Sequence, residues 1–257
     1  MTIAIMQPYF MPYLGYFQAI AAVDKYILYD NLTYILSGWI NKNRIRPRNN
    51  PPSWIIVPVK QKSSYTLIVD TQIDNSKPWK EKILKSIHLA YSKAKFFNEI
   101  LPLFEEILSE EYMTISDLNC RSIMKICSFL DIQTEIVADN ASFTDIEEKL
   151  KLVENGDYSS FPFMQLTNPI KKVARVIAIC KREDANHFVN AIGGTELYAK
   201  DEFAKYGIKL DFIKMNDIQY PQNCTDGSFV PYLSIIDVLM HNGKEGTQKL
   251  LQAYTLV

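Results

Sequence analysis

Short apolar runs alternating with amphipathic stretches constrain this chain more than any other feature. Residues 3–6 form an apolar run stopped by Gln7-Pro8, which reads as a buried strand. The adjoining loop, residues 8–15, holds two prolines, three aromatic residues and a closing glycine, and the helical pattern Phe17, Ile20, Ala21 comes next. Residues 25–30 supply a second apolar strand that ends in the carboxylate of Asp30. Strand, helix and strand make one βαβ unit. The same rhythm returns late in the chain, with a helix over 170–182, a strand over 187–192, a helix over 196–206 closed by Gly207, and a strand over 210–215. Alternation of this kind predicts an α/β fold, a mostly parallel Rossmann-like sheet with helices on both faces.

The middle of the chain breaks the rhythm. Residues 54–59 read as a third strand, with the alternating stretch 66–73 as its partner. Helices are expected over 79–94, 96–109 and 116–130, the last capped by Ser116. This block, 79–130, reads as a helical insertion within a single α/β domain spanning 1–257. A short strand at 134–138 precedes residues 144–163, the most polar and least periodic stretch, which reads as a mobile loop or lid. The last helix, 233–256, is interrupted near Gly243 and Gly246.

Charge and cysteine content narrow the partners. With 28 basic and 29 acidic residues and a net charge of −1, the whole molecule makes no case for non-specific binding to nucleic acid or membrane, and any such partner needs a local patch. Cys120, Cys127, Cys180 and Cys224 have neither C-x-x-C spacing nor histidines to complete a tetrahedral site, so no metal is expected and free thiols in a reducing cytoplasm fit best. No apolar stretch reaches the roughly 20 residues of a membrane span. Self-association into a homo-oligomer stays open.

In an open α/β sheet, ligands bind beyond the carboxyl ends of the strands, which directs attention to the loop after strand one. Gln7, Tyr9, Tyr13 and Tyr16 carry polar tips there, Gly15 permits close approach to the backbone, and the next helix presents its positive end. A second cluster, Trp39, Asn41, Asn43 and Arg44, has donors suited to a phosphate or carboxylate, whereas Lys42, Arg46 and Arg48 read as surface charge. Asp30 sits where a ribose or a substrate amine could be held, with turn capping as its competing role. Lys60 could add a second cation and otherwise is a surface lysine. His88, three residues before Tyr91 on a helix, is the histidine chosen as general base. Ser234 and Asp237 have the spacing of a helix cap and its third position.

Ile5 to Phe17 (Ile-Met-Gln-Pro-Tyr-Phe-Met-Pro-Tyr-Leu-Gly-Tyr-Phe), Asp24, Asp30, Gly38 to Arg44, Ile192-Gly193-Gly194, Leu197-Tyr198 and Pro231 to Asp237 resemble the signature of the WbqC-like family over almost the whole chain. The resemblance implies a setting in bacterial surface-polysaccharide loci, particularly O-antigen clusters that make amino sugars. A weaker resemblance links Tyr13-Leu14-Gly15-Tyr16 to the His-x-Gly-His loop of the nucleotidyltransferase superfamily that includes pantothenate synthetase, with both histidines replaced by tyrosine, which cannot carry positive charge. Together they imply a transferase that acylates or aminoacylates the amine of a nucleotide-linked amino sugar, Tyr16, Asp30 and His88 serving the chemistry. A divergent nucleotidyltransferase and a non-catalytic scaffold of a glycan assembly complex are the alternatives. The cofactor is unknown, a nucleotide or an acyl or aminoacyl donor being the candidates, and the expected partner is a nucleotide sugar.

Overall fold

A computed structural model of the chain describes residues 1–60, 65–222 and 227–257. Eight strands and eight α-helices alternate through them: β1 Thr2–Met6, α1 Leu14–Ala21, β2 Lys25–Leu28, β3 Lys42–Ile45, β4 Ser53–Ile56, α2 Trp79–Tyr91, α3 Phe97–Ser109, α4 Ile115–Phe129, β5 Glu135–Val137, α5 Thr144–Val153, α6 Lys171–Arg182, β6 His187–Ala191, α7 Lys200–Ala204, β7 Lys209–Met215, α8 Ile235–Leu250 and β8 Tyr254–Leu256. Six strands form one sheet in the order β5-β2-β1-β6-β7-β8, parallel throughout except for β8, which runs antiparallel to β7. The two apolar runs read from the N-terminal βαβ unit therefore sit at its centre.

Alternation along the strands sends successive side chains to two cores. Ala4, Tyr26, Leu28, Val189 and Ile213 face α1, α8 and the helices α2 to α4, while Ile3, Ile27, Phe188, Leu210 and Phe212 face α5, α6 and α7. Helices thus cover both faces, as parallel pairing requires. The α2–α4 block lies in the connection from β2 to its neighbour β5, within the larger core.

Several expectations are corrected. The strand expected over 54–59 does not take 66–73 as its partner strand; Ser53–Ile56 pairs antiparallel with Lys42–Ile45 in a separate two-stranded sheet, and an isolated Val59–Ile73 bridge links the two stretches. Its pattern explains this, because Ile55 is buried while Trp54 and Ile56 are half exposed, a one-sided strand rather than one enclosed on both faces. Residues 66–73 form no strand and touch their neighbours through isolated bridges, because Asp70 and Thr71 turn back to Leu67 and Ile68. The expected lid at 144–163 begins as helix α5, whose Ile146, Leu150 and Val153 recur at helical spacing and bury against α6. Only the short α7 and a 3-10 turn at Ile192–Glu196 occupy 196–206. Thr114, not Ser116, caps α4, accepting from the Asp117 N–H at 3.2 Å.

The last helix stops at Leu250, and β8 completes the chain. Its interruption falls at Gly243, with φ 64°, where a Cβ would lie 2.6 Å from the Phe96 ring. Backbone freedom and absence of a side chain are both needed at that one position. Among the described residues no helix is long and apolar enough to cross a membrane.

Candidate functional site

Strand order reverses between β1 and β6, since the chain moves from β1 to β2 and β5 on one side and through β6 and β7 on the other. Open parallel sheets leave a crevice at that point, because the two connections depart in opposite directions. Gln7 follows β1 and Ile192-Gly193 follows β6 at this reversal. Gly193 is exposed, and a Cβ there would meet nothing within 4 Å, so its backbone is approachable.

The loop after β1 is held by donors from the rest of the molecule. Tyr16 Oη donates to the Gln7 carbonyl at 2.9 Å and Asn119 Nδ2 to that of Pro8 at 3.0 Å. Asn43 Nδ2 donates to the carbonyls of Phe10 and Met11 at 3.1 and 2.8 Å, Ser234 Oγ also reaches Met11 at 2.8 Å, and the Ile235 N–H meets Pro12 at 2.8 Å. Met11 has φ 44°, an uncommon backbone state for a residue with a side chain, and these bonds maintain it. Five consecutive or near-consecutive carbonyls are so restrained that the loop has one shape.

This assigns several sequence candidates. Tyr16 is enclosed, its ring against Tyr9, Phe17 and Tyr26, and burial raises its hydroxyl well above the ordinary tyrosine range; it fastens the loop and is no proton-transfer group. Space over Gly15 is filled by the Tyr13 ring, which a Cβ would approach to 2.4 Å, so this glycine admits Tyr13 rather than a ligand. Tyr13 itself packs edge-on to Tyr232 at 6.0 Å and lines a small cavity with Met215, Tyr220 and Phe229. Asn41 donates to the Val57 carbonyl at 2.8 Å and is buried with Asn43, so both serve as braces. Ser234 caps α8, accepting from the Ile236 N–H at 3.3 Å while donating to the loop.

Asp30 stands one strand from the crevice, at the end of β2. Ser116 Oγ donates to its Oδ2 and Asn140 Nδ2 to its Oδ1 at 2.8 Å. Burial raises its affinity for a proton, and the bonds from Ser116 and Asn140 partly oppose that. Cys120 lies behind Ser116, its thiol pushed up to about 12 by burial. The Oδ1 atoms of Asn119 and Asn140 are buried without partners beside these groups. Sequence pattern offers neither asparagine as a site residue and Ser116 only as a helix cap; the available signal is polar residues at positions 116, 119 and 122 on the otherwise apolar face of α4.

Asp237 belongs to a second buried network. It accepts from Tyr91 Oη and Tyr220 Oη, each at 2.8 Å, and from Gln222 Nε2 at 3.1 Å, with His241 Nε2 3.8 Å away. Burial raises this carboxyl and lowers His241. Arg46, expected as surface charge, is buried and reaches Gln222 Oε1 at 3.2 Å and Ser228 Oγ at 2.6 Å. His88 faces away from all of this, in the cleft between α2 and α3 with Leu84, Lys85 and Leu101, edge-on to Phe97. Its sequence neighbour Tyr91 instead packs against His241 at 5.7 Å. Lys60 donates to Gln72 Oε1 at 3.2 Å in a separate polar cleft. Trp39 and Arg44 stand together on the outer side of the β3–β4 hairpin, the guanidinium 5.6 Å from the indole centroid. Among the described residues no group of three or more His, Cys, Asp or Glu side chains is arranged to hold a metal ion.

Comparison with known proteins extends the picture. The model of the WbqC-like protein family matches residues 7–249. A relative in Mycobacterium tuberculosis, named as uncharacterized protein Rv1507c, is 29% identical over 251 residues, covering 96% of each chain. No solved structure gives a significant match.

Proposed function

The chain belongs to the WbqC-like protein family, and from that premise we propose that it is a transferase of bacterial surface-glycan synthesis that acylates or aminoacylates the amine of a nucleotide-linked amino sugar. One observation carries the reading: a loop of fixed shape and an open glycine meet at the strand-order reversal, with a buried carboxyl of raised proton affinity one strand away. Gln7, Tyr9 and the Gly193 backbone hold the nucleotide sugar. Asp30 takes the proton as the amine attacks the acyl carbonyl; the C–N bond forms and the bond to the donor's leaving group breaks. Ser116 and Asn140 hold that carboxyl, and Asp30 replaces His88 as the base because His88 lies in another cleft.

A nucleotidyltransferase fits less well, because Tyr16 stands at the second histidine position of that loop and its hydroxyl is engaged with the Gln7 carbonyl. The experiment is a thermal-shift screen over nucleotide sugars with and without the amine, then an assay for amide product with acyl thioesters and with amino acid plus ATP. An amino-sugar nucleotide at about 100 times its Kd is expected to add about 2.7 kcal/mol of stability. Asp30→Asn keeps that shift and loses product, whereas Gly193→Val loses the shift. Absence of both shift and product from the unmodified chain removes the proposal.

A further inference from the structure

Near-neutrality of the whole chain hides a local asymmetry. Between Asp30 and Asp70 there is no acidic residue, and six basic ones occur: Lys42, Arg44, Arg46, Arg48, Lys60 and Lys62. Arg46 turns inward and Lys60 reaches Gln72, while Lys62 lies outside the described residues. Among the described residues, no ion pair involves Lys42, Arg44 or Arg48.

This same stretch exposes large apolar side chains: Ile35 49%, Leu36 47%, Trp39 41%, Trp54 48% and Ile56 49%. Trp39, Trp54 and Ile56 adjoin one another, and Ile35 and Leu36 lie in the turn just before Trp39. Residues 35–38 form a turn closed by the Gly38 N–H on the Ile35 carbonyl at 3.1 Å, and the turn leads into Trp39. Trp39 and Trp54 have ring centroids 5.4 Å apart, and Ile56, two residues beyond Trp54, shares its face of the strand. Cross-strand register puts Arg44 opposite Trp54 and Lys42 opposite Ile56, and the Lys42 ammonium lies 4.8 Å from the Trp54 centroid.

We propose that this hairpin face and its adjoining turn dock the protein on an anionic lipid bilayer surface. Indole rings favour the interfacial layer, aliphatic side chains enter the acyl boundary, and cations on long stems pair with anionic headgroups; all three occur here on one face. A contiguous exposed apolar cluster is uncommon on a soluble surface without a partner. A single-stranded nucleic acid would use the rings and the cations but has no use for Ile35, Leu36 and Ile56. A small ligand would call for a concavity, and this is the outer face of a two-stranded sheet. Binding here is peripheral and does not depend on the activity proposed above.

The test is co-sedimentation of the full chain with vesicles of equal parts phosphatidylglycerol and phosphatidylcholine, and with pure phosphatidylcholine. Partition onto the mixed vesicles is expected, with a blue shift of tryptophan emission, and both weaken as salt rises. Trp79, the third tryptophan, is buried, so the shift reports Trp39 and Trp54. Replacing Lys42→Gln and Arg44→Gln together lowers partition about 25-fold, roughly fivefold per cation. Trp39→Ala with Trp54→Ala lowers it on the order of tenfold, and Ile35→Ser with Leu36→Ser provides a second apolar variant that leaves the β3–β4 ladder untouched. Equal partition onto neutral and mixed vesicles overturns the proposal, as does no partition, or variants that melt normally and still bind like the parent. So does an emission shift produced by a single-stranded oligonucleotide or a nucleotide sugar and not by anionic vesicles.

Discussion

Asn43 and Arg44 are neighbours on β3, yet they belong to different parts of the molecule. Asn43 points inward, is 3% exposed and holds two carbonyls of the loop after β1; Arg44 points outward and lies against Trp39. In sequence both look like donors awaiting a ligand. Strand alternation separates them, because successive side chains leave a strand on opposite faces. The inward residue sets the shape of the loop, and the outward one stands on the opposite face beside Trp39. Polarity identifies a residue that needs a hydrogen bond, and only its side of the strand says whether the protein or something else supplies it.

The largest test of this contrast is Asp237→Ala, which takes the acceptor from the buried Tyr91 and Tyr220 hydroxyls, while Gln222 Nε2 keeps the Val230 carbonyl. A loss of about 3–5 kcal/mol is expected in urea unfolding. A loss below about 1 kcal/mol would mean the network relaxes and is not a brace. Asn43→Ala comes next, at about 2–3 kcal/mol, since the Phe10 and Met11 carbonyls lose Asn43 as donor while Ser234 still serves Met11. Equal stability of this variant and the parent would dissolve the distinction between the two faces.

Asp30 gives a pH-dependent test of intermediate size. Its folded proton affinity is raised above the ordinary 3.8, so the native chain binds that proton more tightly than the unfolded chain does. Stability contributed by Asp30 is therefore lost as pH rises from the ordinary carboxylate value through the folded one. Asp30→Asn has no such loss, so the parent gains on the variant as pH falls through that window, as melting temperatures across acidic pH will record. A constant gap would place Asp30 in solvent-like surroundings. Smallest of all are Arg44→Gln and Trp54→Ala, each expected within about 0.5 kcal/mol of the parent, because their side chains stand outside the core. A cost near that of Asn43→Ala would make the outer face structural.

Much of the architecture is legible in the sequence. β1, β2, β6 and β7 lie where short apolar runs predict them, and Gly243 marks the break in the last helix. Misreadings arise where local pattern is ambiguous. Residues 144–163 look aperiodic because α5 is mostly charged outside its three core residues, and residues 54–59 could not reveal their partner. At the candidate site, local pattern points to the loop after β1 and hides its internal division of labour. Tyr16 and Asn41 look like ligand contacts until their carbonyl partners are seen.

By itself the sequence determined most strands of the main sheet, the helices over 79–130, the family likeness and the stretch between Asp30 and Asp70 that lacks acidic residues, because periodicity, motif and charge are properties of neighbouring positions. Tertiary structure alone decided that strand order reverses beside Gln7, that Asn119 and Ser234 clamp the loop from 111 and 223 residues away, and that Trp39 meets Trp54 outside. A buried amide and an exposed one are chemically identical until the chain closes. Which carbonyl lies opposite is set by packing over the whole molecule, and no local pattern carries that information.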